Sequence, residues 1–200
     1  MKVYRTPGLT EGRNDTIVDC DYNSFPDENK TCKIDVEKYE PCVASNYFGY
    51  KNGKPCVFIE LEAVSDWKPS YWDSSKKLPK DMPGDVKEQI EELVDDGNKR
   101  QTLWLTCEGE SPADKENIGF VKYYPLPGFP GYNFPFTGQQ GYLNPVAAIQ
   151  FTKLRSKYLY IFVNYKFYKN DVNNFGLSSP RPGTLNNFFV TKSSDCTRIV

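Results

Sequence analysis

Histidine is missing from all 200 residues of the chain. That absence removes Ser-His-Asp and Cys-His nucleophile pairs, histidine-ligated zinc or haem, and a histidine pH switch. Any catalysis would have to rest on carboxylates, Lys, Tyr or a bound cofactor. An excess of either charge is missing too: 25 Lys and Arg stand against 26 Asp and Glu, a net charge of −1. This balance argues against nucleic-acid binding driven by bulk charge. No run of about 18 apolar residues occurs, so nothing reads as a membrane-spanning helix, and residues 1–20 lack the apolar core of a signal peptide. No C-x-x-C pair occurs, which removes the signature of zinc ribbons and thioredoxin-like motifs.

What is present points to a β-rich, loop-rich globular domain. Aromatic residues make up 15% of the chain, with 14 Gly and 15 Pro. Aromatics suit half-buried pleated surfaces, and Gly and Pro suit turns. The length suits one domain with a sizeable core. Six cysteines (Cys20, Cys32, Cys42, Cys56, Cys107 and Cys196) are an even number at wide, irregular spacing. They suit three disulfides, although spacing alone leaves the connectivity open. Two glycosylation sequons, at Asn14 and Asn29, agree with an oxidising, extracellular compartment.

Residues 1–31 are polar and rich in turn formers, and read as an irregular arm. Residues 57–64 (VFIELEAV) alternate cleanly, with Ile59, Leu61 and Ala63 opposed to Glu60 and Glu62, the pattern of a half-exposed strand. Residues 65–83 read as a loop. The one convincing helix follows, with Asp85 as N-cap, Val86, Ile90, Leu93 and Val94 on one face, and Gly97 as the stop. Its acidic residues read as a wet face rather than a metal site. Further strands are expected at 103–107, 118–124, 146–151, 158–168 and 187–191. Short strands separated by turns, with one helix in a crossover, predict an antiparallel sandwich.

Several motifs are weighed against plainer readings. The stretch from Gly49 to Pro55 only superficially resembles a phosphate loop. Its glycines are one residue too close, Pro55 replaces the magnesium-binding hydroxyl, and Asn52-Gly53 is a hairpin-turn signal. Trp67, Tyr71 and Trp72 could stack on sugars, but packing over one end of the sandwich is the expected role. Carboxylate pairs for glycoside hydrolysis cannot be picked from sequence. Lys153, Arg155, Lys157, Lys166 and Lys169 read as a solvated strand face with its turns. The segment 123–142 holds Tyr123, Tyr124, Phe129, Tyr132, Phe134, Phe136 and Tyr142 among Pro and Gly. It is too aromatic for a flexible linker, and rigid aromatic loops are favoured at protein interfaces. At least one of Tyr123, Tyr124, Phe134 and Phe136 is therefore expected to be exposed and to touch a partner.

The run Tyr47-Phe48-Gly49-Tyr50-Lys51-Asn52-Gly53-Lys54-Pro55-Cys56-Val57-Phe58-Ile59 resembles the GYxxGxPC-plus-strand signature of the β subunits of Na,K- and H,K-ATPases. Trp67-Lys68-Pro69, Cys107-Glu108-Gly109-Glu110, Tyr123-Tyr124-Pro125, Gly128-Phe129-Pro130, Phe134-Pro135-Phe136 and Tyr142-Leu143-Asn144-Pro145 follow in the family's order. The resemblance runs from about Cys20 to Tyr168. It implies an all-β, immunoglobulin-like antiparallel sandwich with one short helix in a crossover and long loops, occupying residues 32–200 behind the arm.

The resemblance also implies a non-catalytic glycoprotein subunit, without cofactor or metal. Such a subunit binds the catalytic α subunit on the extracellular side, supports its folding and delivery to the plasma membrane, and tunes potassium affinity. It further implies the bridges Cys20–Cys32 and Cys42–Cys56 and a long-range bridge from Cys107. The strand where the family places the partner of Cys107 has no cysteine, which leaves Cys196 and an expectation of three disulfides with no free thiol. Membrane attachment would come only through a helix absent from these residues, so the chain reads as an excised or truncated ectodomain. The alternative is a secreted paralogue that binds carbohydrate or another surface protein.

Overall fold

The computed structural model describes residues 16–62, 64–71, 78, 80, 82–92, 101–109, 111–154 and 163–168. In chain order the elements are β1 (Ile17–Val18), β2 (Thr31–Cys32), β3 (Cys56–Glu60), α1 (Gly84–Glu92), β4 (Thr102–Gly109), α2 (Pro112–Asn117), β5 (Val121–Tyr124), β6 (Gly128–Pro130), β7 (Val146–Phe151) and β8 (Val163–Tyr168). Two antiparallel sheets form, ordered β3-β7-β5 and β6-β4-β8, beside a short parallel pair β1-β2. The all-β sandwich expected from the sequence is the observed architecture.

The core follows from alternation along the strands. Val57, Ile59 and Leu61, with Ala147, Ile149 and Phe151, face Leu103, Leu105, Cys107 and Phe129 across the sandwich. Burying a side chain such as Phe129, Phe151 or Leu105 fully contributes about 1.5–3 kcal/mol each. Both outer faces are also covered. Tyr39, Cys42 and Val43 pack on Cys56, Val146 and Ala148 behind the first sheet. Met82, Val86 and Ile90 of the α1 region pack on Trp104 behind the second. This double covering explains why VAAIQF of β7 is apolar almost throughout: every residue of the strand is buried.

Several expectations shift at their edges. Helix α1 starts at Gly84, so Asp85 lies within it rather than capping it; Leu93, Val94 and Gly97 lie outside the described residues. Strand β5 starts at Val121 because residues 118–120 form the exit from a second helix, with Ile118 as its C-cap and Gly119 in a left-handed conformation. At the start of that helix Ser111 accepts from the Asp114 N–H, and the Asp114 carboxylate accepts from the Ser111 N–H, with Pro112 in the first turn. The predicted strand 187–191, residues 158–162 and Ala63 lie outside the described residues.

Asn52-Gly53 does not close a hairpin. It ends a 3-10 stretch, Ala44–Asn52, where Gly53 caps in a left-handed conformation. The Cys42–Cys56 bridge, with Cα atoms 5.6 Å apart, ties this stretch to the start of β3. Closing a loop of that size contributes about 3 kcal/mol in the chain-entropy account.

Candidate partner-binding site

Residues 121–151 cross between the sheets twice: β5 lies in the first sheet, β6 in the second, and β7 in the first again. The aromatic segment is that crossing. Tyr123 and Tyr124 are neighbours on β5, so their side chains leave opposite faces of the sheet. Tyr123 packs against the main core, and its hydroxyl accepts a hydrogen bond from the Cys107 N–H at 2.9 Å. Tyr124 packs on the outer cluster with Tyr39 and Cys42, its hydroxyl 3.5 Å from Gln150 Oε1.

Phe134 is core, 9% exposed, with its ring edge-on to Trp67 at 5.5 Å. Phe136 is half-buried against Tyr142 at 4.8 Å, and its backbone carbonyl accepts from the Asp66 N–H. Burial pushes the Tyr142 hydroxyl up to about 12. The four residues therefore do not form one patch. None of them is freely exposed: Tyr123, Tyr124 and Phe136 are half-buried and Phe134 is buried. The expectation of a freely exposed member fails because both crossings need bulky groups to close the sandwich. Trp67, 7% exposed, is likewise packed and is not a sugar-stacking platform.

The exposed aromatics lie elsewhere. Among the described residues Tyr47 and Tyr50 are each 59% exposed, Phe120 is 66% exposed and Phe25 is 39% exposed. Tyr47, Phe48 and Gly49 take left-handed φ values of 49°, 51° and 76° in succession. Such conformations are costly for aromatic residues and persist only where the surroundings enforce them. Here Phe48 is anchored edge-on to Phe58 at 5.7 Å, and the Lys51 ammonium sits 4.2 Å over the Tyr47 ring. Gly49 is required: a Cβ there would stand 2.0 Å from the Lys54 carbonyl oxygen. The motif residues were legible in the sequence, but their outward display was not.

The arm is docked from Thr16 onward. Ile17–Val18 pairs with Thr31–Cys32, Tyr22 and Phe25 lie edge-on to Tyr132, and the Tyr22 and Thr102 hydroxyls are 2.7 Å apart. Cys20 and Cys32 form a bridge across it. Asn29 is exposed in a turn. Asn14 and Cys196 lie outside the described residues.

Among the described residues no cysteine bridges Cys107, which is a buried free thiol; Cys196, its expected partner, lies outside them. Strand register sets Tyr165 opposite it, so the neighbouring strand offers no cysteine. Burial, with the Glu108 carboxylate second, pushes this thiol up to about 12. Among the described residues no cluster of three potential metal ligands occurs, and no helix is long and apolar enough to cross a membrane.

Residues 9–185 match the family described as sodium/potassium ATPase beta chain. The chain belongs to this family. It is 42% identical over 154 residues to sodium/potassium-transporting ATPase subunit beta-2 of Drosophila melanogaster, covering 76% of this chain and 48% of that protein. It is 36% identical over 142 residues to subunit beta-1 of the same organism, covering 71% and 44%. A probable subunit beta-3 of Caenorhabditis briggsae is 29% identical over 143 residues, covering 70% and 40%. The chain thus spans about half, or less, of the length of these curated relatives. The match to the beta-chain family takes in both bridges, the sheet-crossing segment and Cys107.

Proposed function

We propose that this chain is the extracellular portion of a non-catalytic β subunit of a sodium/potassium-transporting ATPase. It binds the catalytic α subunit on its extracellular side, supports that subunit's folding and delivery to the plasma membrane, and tunes its potassium affinity. The family match over residues 9–185 carries this reading. The architecture supports it. A sandwich covered on both outer faces and closed by two bridges in its N-terminal part can hold a fixed surface while its partner folds.

The aromatic contact is assigned within Tyr123, Tyr124, Phe134 and Phe136. Tyr123 and Phe134 spend their side chains on the interior, so Tyr124 and Phe136, on the rim, are the residues to meet the α subunit. The test is co-purification of an α subunit with the full-length gene product. Tyr124→Ala and Phe136→Ala should each weaken association by about 1–3 kcal/mol, with melting curves read alongside. Failure of any α subunit to co-purify with the wild-type product would refute the reading. Loss of association only in variants that also unfold would refute the contact assignment.

A further inference from the structure

The sequon Asn29-Lys30-Thr31 is divided between surface and interior. Asn29 is exposed in a turn, held by a hydrogen bond from the Lys30 N–H to the Asp27 carbonyl at 2.9 Å and by an ion pair between Lys30 and Asp27 at 2.8 Å. Thr31 is 4% exposed and begins β2, with its N–H bonded to the Thr16 carbonyl at 2.8 Å. The next residue, Cys32, is buried and bridged to Cys20, twelve positions earlier.

Glycan transfer requires the Asn carboxamide and the Thr hydroxyl two residues on to be gripped together by the transferase on an accessible, drawn-out chain. The folded arm offers the first group and withholds the second. A glycan already on Asn29 would nevertheless remain in solvent. The geometry therefore permits the product and blocks its formation.

We propose that Asn29 is a glycan acceptor only while the Cys20–Cys32 loop is open, so that glycan transfer and disulfide closure compete for the same segment. In the transfer, Asn29 Nδ2 bonds to the anomeric carbon of a lipid-pyrophosphate-linked oligosaccharide. The bond from that carbon to the pyrophosphate breaks, and the amide proton leaves with the lipid pyrophosphate. Glycosylated chain then closes its bridge normally, because Asn29 faces outward. The proposal rests on the extracellular reading above.

The test is translation of the chain, led by a cleavable signal, into microsomes, with Asn29 occupancy read by peptide mass separately from Asn14. Occupancy should rise severalfold under dithiothreitol and in the Cys20→Ser/Cys32→Ser double variant, and should vanish in Thr31→Val. Folded, oxidised protein offered afterwards to the transferase should stay unmodified at Asn29. Equal modification of folded and reduced protein would overturn the proposal, as would an empty Asn29 under reducing conditions. Because the supplied signal delivers the chain, these outcomes do not depend on its native location. Fractionation of the native protein scores the extracellular reading separately.

Discussion

Tyr123→Phe removes one oxygen atom and should be felt as a fold defect. The N–H groups of Leu103, Leu105 and Cys107 point to the β6 side of β4, because alternate residues of a strand bond to the same neighbour. Leu103 is paired with Phe129 of β6, and the Leu105 N–H donates to the Pro127 carbonyl at 3.1 Å. Beyond that point no strand among the described residues lies on the β6 side of β4, and the Cys107 N–H turns instead to the Tyr123 hydroxyl. Phe at 123 keeps the ring and leaves this buried N–H without that acceptor.

Orphaning a buried backbone donor costs about 1–3 kcal/mol. In a chain of this size that lowers the melting temperature by roughly 2–12 °C, at about 2–4 °C per kcal/mol. Urea unfolding should show a lower midpoint with an unchanged slope. Tyr124→Phe is the matched control. Its hydroxyl stands 3.5 Å from Gln150 Oε1, beyond the normal O–H···O range, so its loss should stay within about 0.5 kcal/mol. Equal stability of Tyr123→Phe and wild type would refute the assignment of Tyr123 to the interior and return it to the candidate contacts.

Phe134→Ala should destabilise by about 3–5 kcal/mol, as large-to-small changes in cores do, and should alter the emission of Trp67, whose ring it meets; a near-neutral melting curve would return Phe134 to the surface. Burial of Cys107 gives a second, pH-dependent expectation. The folded thiol titrates near 12, above an unfolded value of about 8.5, so the neutral form is stabilised by folding. That stability is complete below the unfolded value and falls by up to about 1.4 kcal/mol per pH unit as pH rises from there towards the folded value. Buried Tyr39 and half-buried Tyr71 and Tyr142 shift in the same direction, so Cys107→Ala should flatten only its own share of the alkaline loss. Denaturation without reductant should then yield an alkylatable Cys107, whereas its recovery in a peptide cross-linked to Cys196 would refute the free thiol.

The strands that carry the core were legible because each is long enough to show its environment. Residues 57–61 alternate, 146–151 are apolar but for Gln150, and Val86 and Ile90 mark the inner face of α1. The short elements were not. β6 is only Gly128–Pro130, with no room for a period, and the parallel pairing of Ile17–Val18 with Thr31–Cys32 leaves no local pattern at all. Helix α2 spans six residues and has no periodic face; its marks are Ser111, Pro112 and Asp114, a cap signature with no periodic run behind it. The resemblance implied two bridges that the structure contains, but it could not supply a facing cysteine for Cys107. None of the residues of β8, Val163–Tyr168, is a cysteine, so no register of that strand could bridge Cys107.

The aromatic richness of residues 123–142 has a cause that composition could not separate from binding. A chain that leaves one sheet, adds a strand to the other and returns has no continuous ladder at either crossing. Its interior must be filled, and its stranded backbone groups satisfied, by side chains. Phe129 and Phe134 supply volume there, and Tyr123 supplies the acceptor where β6 ends. Pro and Gly set the corners, as at Gly128, where a Cβ would stand 2.5 Å from the Leu103 carbonyl oxygen. The crossing thus accounts for three of the aromatics without any partner. What it does not use is the outward side of Tyr124, on the opposite face of β5, and the free edge of Phe136 beside Tyr142. A contact with the α subunit built from this segment has to be built on those two, and the stability of their alanine variants should therefore fall far less than that of Phe134→Ala.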